Sequence, residues 1–242
     1  GCNLTDVSQP VPVTKTPPLR KEAPLEQGRK YVTVLFSDLS GYTAMSETLD
    51  PAEVKEIMGQ IFGEISKVVA KYGGFIEKFI GDAVMAIFGV PKSHEDDPVR
   101  AIKASREIHD VVSSLSSQFE KRIGKALCMH TGICTGLVVT GEVNLEKGTH
   151  GVLGDTINTA ARLSGLAKPG EIVVDPDTHY RTEGFFIFDP LQPATVKGKT
   201  EPVRPYKILS QREDPTKTHR LSGLRAKLIG RKVEMAHLHE AI

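Results

Sequence analysis

The chain has 242 residues, enough for one sizeable domain with extensions. Its 31 Lys and Arg nearly cancel its 30 Asp and Glu, so global charge favours neither nucleic acid nor an anionic membrane. Cys2, Cys128 and Cys134 are too few and too irregularly spaced for a disulfide framework or a zinc ribbon. With no apolar run of the ~20 residues that a membrane span needs and no opening stretch that reads as a signal peptide, the expectation is a cytoplasmic protein.

Residues 1–28 carry Pro10, Pro12, Pro17, Pro18 and Pro24 among scattered charges without an apolar period, and read as a flexible linker. Tyr31 to Ser37 is a β-branched, aromatic run, a buried strand that Asp38 closes just before Leu39-Ser40-Gly41-Tyr42-Thr43. Asp50-Pro51-Ala52-Glu53 has the chemistry of a helix entry: Asp as N-cap, Pro in the first turn, Glu completing a capping box. Behind it Val54, Ile57, Met58, Ile61, Phe62, Ile65, Val68 and Val69 recur at helical spacing, which predicts a helix covering one face of a sheet and ending at Tyr72-Gly73-Gly74.

Phe75 to Ile80 and Ala83 to Phe88 then form the arms of a β-hairpin around the turn Gly81-Asp82. Both arms are too apolar to lie open to water, so the hairpin is expected mid-sheet with Asp82 lifted to the sheet's end. Asp82 is either a good turn residue or, with Asp38 at a second strand end, half of a carboxylate pair able to share hard, oxygen-seeking cations.

Asp97-Pro98 repeats the capping device ahead of a second apolar stripe from Ala101 to Phe119. Ala126 to Ile133 and Leu137 to Val143 read as two strands separated around Gly136, with residues 142–150 a polar connection. Cys128 and Cys134 fall in this pair as small buried hydrophobes, and His130 is a satisfied polar side chain or a metal ligand. Asp155 is the expected N-cap of a third helix reaching Leu166, on which Asn158 and Arg162 share a face and Ala160 and Ala161 allow close packing. After the stop at Lys168-Pro169-Gly170, Ile172 to Val174 and Phe185 to Phe188 are strand candidates, and Val203 to Leu209 a closing edge strand. The order predicts an α+β, ferredoxin-like fold, helices packed on an antiparallel sheet, in a domain over residues 29–210 with an extension over 211–242.

FSDLSGYTAMSE, EKFIGDAVMAIFG, GVLGDTINTAARL and VKGK, in that order over roughly Lys30 to Leu209, resemble the successive signature blocks of class III nucleotidyl cyclase catalytic domains. The resemblance implies a catalytic domain of the bacterial adenylyl type that converts ATP to cyclic AMP and pyrophosphate with two Mg²⁺ or Mn²⁺ ions per site. Asp38, Asp82 and the backbone carbonyl of Leu39 match the family's metal contacts. The amides around Gly41, Tyr42 and Thr43 match a phosphate cradle. Asn158 and Arg162 match the pair that orients the ribose and stabilises charge building on the α-phosphate. Lys197, with Lys199 as a substitute, matches the lysine that holds the terminal phosphates.

Lys78 stands where adenylyl cyclases carry the lysine that donates to adenine N1. The partner that accepts from the adenine amino group falls on Gly151, which has no side-chain acceptor, so a backbone carbonyl or Thr149 fills in, or base selection is loose. His130 stands where many relatives have a phosphate-binding Arg. The family's head-to-tail arrangement implies a homodimer with two sites at its interface. The alternatives are a nucleotide-binding regulatory domain with weak or no turnover, and a cyclase of relaxed ATP/GTP selectivity. A dinucleotide cyclase is opposed by Asn158-Thr159-Ala160-Ala161-Arg162 and by the lack of a G-G-D/E-E-F hairpin tip. Leu228-Ile229-Gly230-Arg231 resembles the entry of ATPase modules that often follow such cyclases, which implies the start of a following module, while the phosphate-binding loop of such a module, and so the module itself, is not in this sequence.

Overall fold

In the computed structural model, residues 28–141, 152–194 and 202–213 are described. The expected linker and C-terminal extension lie outside them but for Gly28 and residues 211–213, as do Thr149, Gly151, Lys197, Lys199 and the ATPase-like ending. The elements are β1 (Gly28–Ser40), α1 (Tyr42–Thr48), α2 (Pro51–Lys71), β2 (Phe75–Ile80), β3 (Ala83–Phe88), α3 (Asp97–Ile123), β4 (Cys128–Thr140), β5 (Val152–Leu153), α4 (Asp155–Leu166), β6 (Ile172–Val174), α5 (Pro176–Thr182), β7 (Phe186–Pro190) and β8 (Tyr206–Gln211).

Because β1 is apolar on both faces, it sits inside the sheet, whose order is β2-β3-β1-β4-β6-β8-β7 with β5 added against β4. Leu35 and Leu39 point into a core built with α2 and α3. Val32 and Val34 point the other way, into a second core under α4. The sheet is antiparallel except where β6 runs parallel to β4, the direction that the intervening crossover through α4 brings about. This is the α+β architecture the element order predicts. Among the described residues no helix is long and apolar enough to cross a membrane.

The strongest local signals appear as read. Asp50 caps α2 with both halves of the capping box formed, and Gly81 takes a positive φ of 62° in the hairpin turn. Long-range packing changes other readings. The hairpin is not wholly internal: β3 lies between β2 and β1, while β2 is an edge strand with Phe79 41% and Ile80 45% exposed. Its apolar side is covered by a helix instead of a strand, Phe79 stacking on Phe62 of α2 at 4.2 Å. At the other edge β7 is outermost and β8 lies inside it.

Gly136 does not break a strand; β4 runs through it without interruption, carrying Cys134, buried, and Cys128, half-buried. Asp97 does not cap α3, since Asp96 holds that position. Asp97 is instead buried, accepting from the His94 amide at 2.8 Å and from Arg100. Gly154, not Asp155, holds the cap position of α4. Helices α1 and α5 were not expected, although Asp175-Pro176 carries the same entry signal as Asp50-Pro51 and Asp175 caps α5 through the amides of Asp177 and Thr178.

His109 on α3 packs against β4, its Nε2 2.8 Å from the Thr131 hydroxyl. Burial pushes its imidazole down to about 4, against a backbone hydrogen bond at Gly170 that favours the charged form. The folded state therefore resists a proton that the unfolded chain takes up below pH 6.5. Stability rises with pH through this window and is lost as pH falls from 6.5 towards 4, by at most about 3 kcal/mol. Urea denaturation between pH 7 and 4.5 should show a shallower pH slope for His109→Gln than for the parent; equal slopes would mean His109 titrates freely in the fold.

Candidate active site

Strand β4 presents His130, Gly132, Cys134 and Gly136 on alternate positions of one face, and this small-residue stripe is the seat of α4. A Cβ on Gly132 would stand 2.1 Å from the Ala160 carbonyl oxygen and 2.2 Å from the Ser164 nitrogen, and one on Gly136 would stand 2.7 Å from Thr156 Oγ1. The helix backbone thus rests directly on the strand. At the far end Thr156 donates its hydroxyl hydrogen bond to the Leu137 carbonyl at 2.9 Å.

Asp38 and His130 are register partners on β1 and β4, on this same face. His130 Nδ1 lies 2.9 Å from the Ser164 carbonyl, which can only accept, so Nδ1 carries the proton. Its Nε2 is 3.8 Å from Asp38 Oδ2. His130 is thus the satisfied polar side chain of the two readings, held by the C-terminal turn of α4 beside the Asp38 carboxylate. The missed signal was its alternation with Gly132, Cys134 and Gly136.

Asp82, in the turn between β2 and β3, meets Asp38 at the sheet's end. Burial first, and then the negative charge and hydrogen bonding of Asp38, raise the Asp82 carboxyl above the usual carboxylate range, while His130 pulls the other way. Two carboxylates held this close and partly desolvated are short of positive charge, so a divalent cation fits between them. Among the described residues no three His, Cys, Asp or Glu side chains gather as a ready metal cage, so the remaining ligands would be backbone oxygens, water or substrate. Leu39 buries its side chain in the core and donates its amide to Asp38 Oδ1 at 3.0 Å, leaving its carbonyl as the group it could offer.

Directly after β1, Gly41 is the N-cap of α1, and Tyr42 and Thr43 open the helix, where amides lack intrahelical acceptors. Gly41 is pressed to 3.0 Å of the Ala126 carbonyl, measured from the Cβ it lacks. Asn158 and Arg162 project from α4, Asn158 exposed and Arg162 half-buried. One guanidinium nitrogen of Arg162, Nη1, is buried without a hydrogen-bond partner among the described residues, an arrangement that calls for an anion. No hydrogen bond or ion pair joins Asn158 or Arg162 to either carboxylate among the described residues. Asn158 lies on the order of 9 Å along the helix from Ser164, the residue that contacts His130. Lys78 is exposed on β2, opposite Met85.

The comparisons with known proteins agree with this arrangement. The family model "Adenylate and Guanylate cyclase catalytic domain" matches residues 25–213. The crystal structure of the adenylyl cyclase CyaB from P. aeruginosa is similar with a TM-score of 0.74 and 31% identity, over 78% of this chain and 99% of that one. That of the guanylyl cyclase Cya2 is similar with a TM-score of 0.69 and 32% identity, over 77% of this chain and 95% of that one. An adenylate cyclase of Anabaena cylindrica is 29% identical over 187 residues, 73% of this chain and 36% of that protein. The chain spans less than half the length of the curated relatives it matches. A sheet that brings two carboxylates together beside a helix bearing an amide and an unpaired guanidinium nitrogen, with a family match over most of the chain, establishes that this chain belongs to the adenylate and guanylate cyclase catalytic domain family.

Proposed function

We propose that the chain converts ATP to 3′,5′-cyclic AMP and pyrophosphate at two equivalent sites of a homodimer. The observation that carries this reading is the Asp38–Asp82 pair at the sheet's end, beside the face on which α4 is seated. Two Mg²⁺ or Mn²⁺ ions held by Asp38, Asp82 and the Leu39 carbonyl would supply activation of the ribose 3′-hydroxyl and charge neutralisation of the triphosphate. The amides at Gly41, Tyr42 and Thr43 receive phosphate oxygens. Asn158 holds the ribose so that its 3′-oxygen faces the α-phosphorus. Arg162 gives its unpaired nitrogen to the charge that builds there as the bond to the leaving pyrophosphate breaks. Lys197, outside the described residues, is assigned to the terminal phosphates.

Within one chain the carboxylates and Asn158 lie apart along α4, which supports a site completed by a second copy. Incubating the chain with ATP or GTP and Mg²⁺ or Mn²⁺, and identifying the product, is the direct test; absence of any cyclic nucleotide would leave a binding domain instead. Asp82→Ala and Arg162→Ala are each expected to be inactive, while their mixture regains part of the activity through the hybrid site that keeps every group. No recovery in confirmed mixed dimers would place each site within one chain.

Lys78 donates to adenine N1, and losing a charged hydrogen bond in a desolvated pocket costs roughly 1.5–3 kcal/mol, about ten- to a hundredfold. Lys78→Glu should weaken ATP use and narrow the gap to GTP, because the carboxylate accepts from guanine N1–H and finds no donor at adenine N1. An unchanged ratio of kcat/KM for ATP over GTP would remove Lys78 from the base pocket.

A further inference from the structure

The face of the sheet behind the carboxylates carries a polar chain inside an apolar core. Ser37 stands between Leu35 and Leu39 on β1, and Thr131 between Met129 and Ile133 on β4, so both point into the layer that α2 and α3 cover. They are register partners, one position from the Asp38 and His130 pair, and both are fully buried. Their hydroxyl oxygens are 2.7 Å apart, and that of Thr131 is 2.8 Å from His109 Nε2 on α3. The imidazole also makes its backbone hydrogen bond at Gly170. A bond that favours the charged ring is one in which the ring donates, so Nε2 is left to accept from Thr131, and Thr131 accepts from Ser37. The residues on either side of His130 are held to the same loop: the Gly170 amide donates to the Met129 carbonyl at 2.8 Å, and the Thr131 amide to the Glu171 carbonyl at 3.0 Å.

Hydrophobic packing does not call for this chain. Apolar side chains of similar shape would fill the space at nearly equal stability, because a buried hydrogen bond contributes little once both partners are replaced together. What they would lack is direction, since a fully satisfied polar chain rigidifies its surroundings in one geometry. Asp38 lies two residues from the end of β1, where little of the ladder is left to hold it. The chain runs from α3 to the residue before Asp38 and closes on the loop that leads into β6.

We propose that Ser37, Thr131 and His109 are positioning residues that hold the Asp38 carboxylate in place for its cation, acting through the backbone from the opposite face of the sheet. The inference rests on the assignment of Asp38 to the cation site. A ligand has to be held within about 0.5 Å of its productive position, so a loosened end of β1 loses cation affinity before it loses the fold. The same two strands supply a control. Thr33 and Thr135 are register partners on the same face, buried, with hydroxyl oxygens 3.0 Å apart, but Thr33 lies about 17 Å along the strand from Asp38.

The test compares Ser37→Ala, Thr131→Ser, Thr33→Val and the triple variant Ser37→Ala/Thr131→Val/His109→Leu with the parent. Ser37→Ala removes only the end of the chain next to Asp38, leaving Thr131 bonded to His109. The triple variant removes every polar side chain together, and Gly170, which is exposed, turns to water. Thr33→Val leaves Thr135 bonded to Thr178. Each is followed by melting temperature, by Mn²⁺ Kd from electron paramagnetic resonance without nucleotide, and by kcat and KM. The triple variant should melt near the parent's temperature yet bind Mn²⁺ about ten- to a hundredfold more weakly, with kcat falling in step, and Ser37→Ala should show the lower end of that range. KM for the nucleotide at saturating Mn²⁺ should stay at the parent value in both. Thr131→Ser keeps the hydroxyl and Thr33→Val spares the chain, so both should keep the parent's Mn²⁺ affinity. Unchanged Mn²⁺ affinity in Ser37→Ala and the triple variant would reduce the chain to core packing, as would an equal loss in Thr33→Val. If the triple variant does not fold, Ser37→Ala against Thr33→Val decides. Should Asp38→Ala lose Mn²⁺ while the chain variants keep it, this inference alone falls. A parent that neither binds Mn²⁺ nor forms a cyclic nucleotide would overturn the cation-site assignment, and this inference with it.

Discussion

Asp38→Ala and Asp82→Ala are each expected to reduce turnover below about a thousandth of the parent rate, the scale of losing several kcal/mol of transition-state stabilisation. The fold should survive the change at Asp82. Its carboxyl is raised by burial and by Asp38, so at neutral pH the charged form is strained against its surroundings. A carboxyl whose folded value lies above its unfolded one adds stability only while protonated, and that stability is lost as pH rises through the folded value. Asp82→Asn should therefore keep or raise the melting temperature at pH 7 while abolishing activity, as expected of a group retained for function at a cost to stability. Mn²⁺ binding, followed by electron paramagnetic resonance without nucleotide, should weaken in both alanine variants. Near-normal turnover in either, or a marked fall in melting temperature for Asp82→Asn, would sink the cation-site assignment.

Gly132→Ala is expected to do the reverse, damaging fold and activity together. The added methyl would meet backbone on three sides: the Ala160 oxygen at 2.1 Å, the Ser164 nitrogen at 2.2 Å and the Leu163 carbonyl carbon at 2.7 Å. None of these can rotate away, so α4 must lift from β4. Overpacking typically costs about 1–3 kcal/mol and more where backbone has to move, so a clear drop in melting temperature should follow. Since α4 carries Asn158 and Arg162 and holds His130 beside Asp38 through Ser164, a displacement of about 1 Å should also cost on the order of a hundredfold in kcat. Gly136→Ala is the internal control: its methyl meets the Thr156 hydroxyl, a side chain that can turn aside for the loss of one hydrogen bond to Leu137. Its effect should be several-fold smaller; equal effects at both positions would show that α4 is not seated as tightly at Gly132 as these contacts require.

Much of this molecule is written locally in the chain. The entry of α2 at Asp50-Pro51, the hairpin turn at Gly81 and the apolar stripe of α2 depend on residues within a few positions of one another. The two carboxylates were legible for the same reason, each within two residues of the end of an apolar strand and next to turn residues, although β1 runs on through Asp38 to Ser40. Asn158 and Arg162 needed only helical spacing to be placed on one face, and the signature blocks joined all four in one family.

What the tertiary structure alone decided concerns which surfaces meet. Gly136 has the look of a break, yet its missing side chain serves the approach of Thr156, twenty positions later, and the strand runs through. An apolar arm such as β2 is buried equally well by a strand or by a helix, and periodicity reports only that something covers it. Here α2 does, leaving β2 at the edge. His130 carries no local mark of its bond to Ser164, because that bond exists only once α4 lies across β4. A β-bulge in β2 between Ile76 and Lys78 follows from Phe62 holding Phe79 on one face and Ala86 pairing with Ile76 on the same one, two contacts distant in sequence. Local sequence fixes backbone preference and the apolar face; register, edges and close approaches are free energies of pairs, settled only when both partners are present.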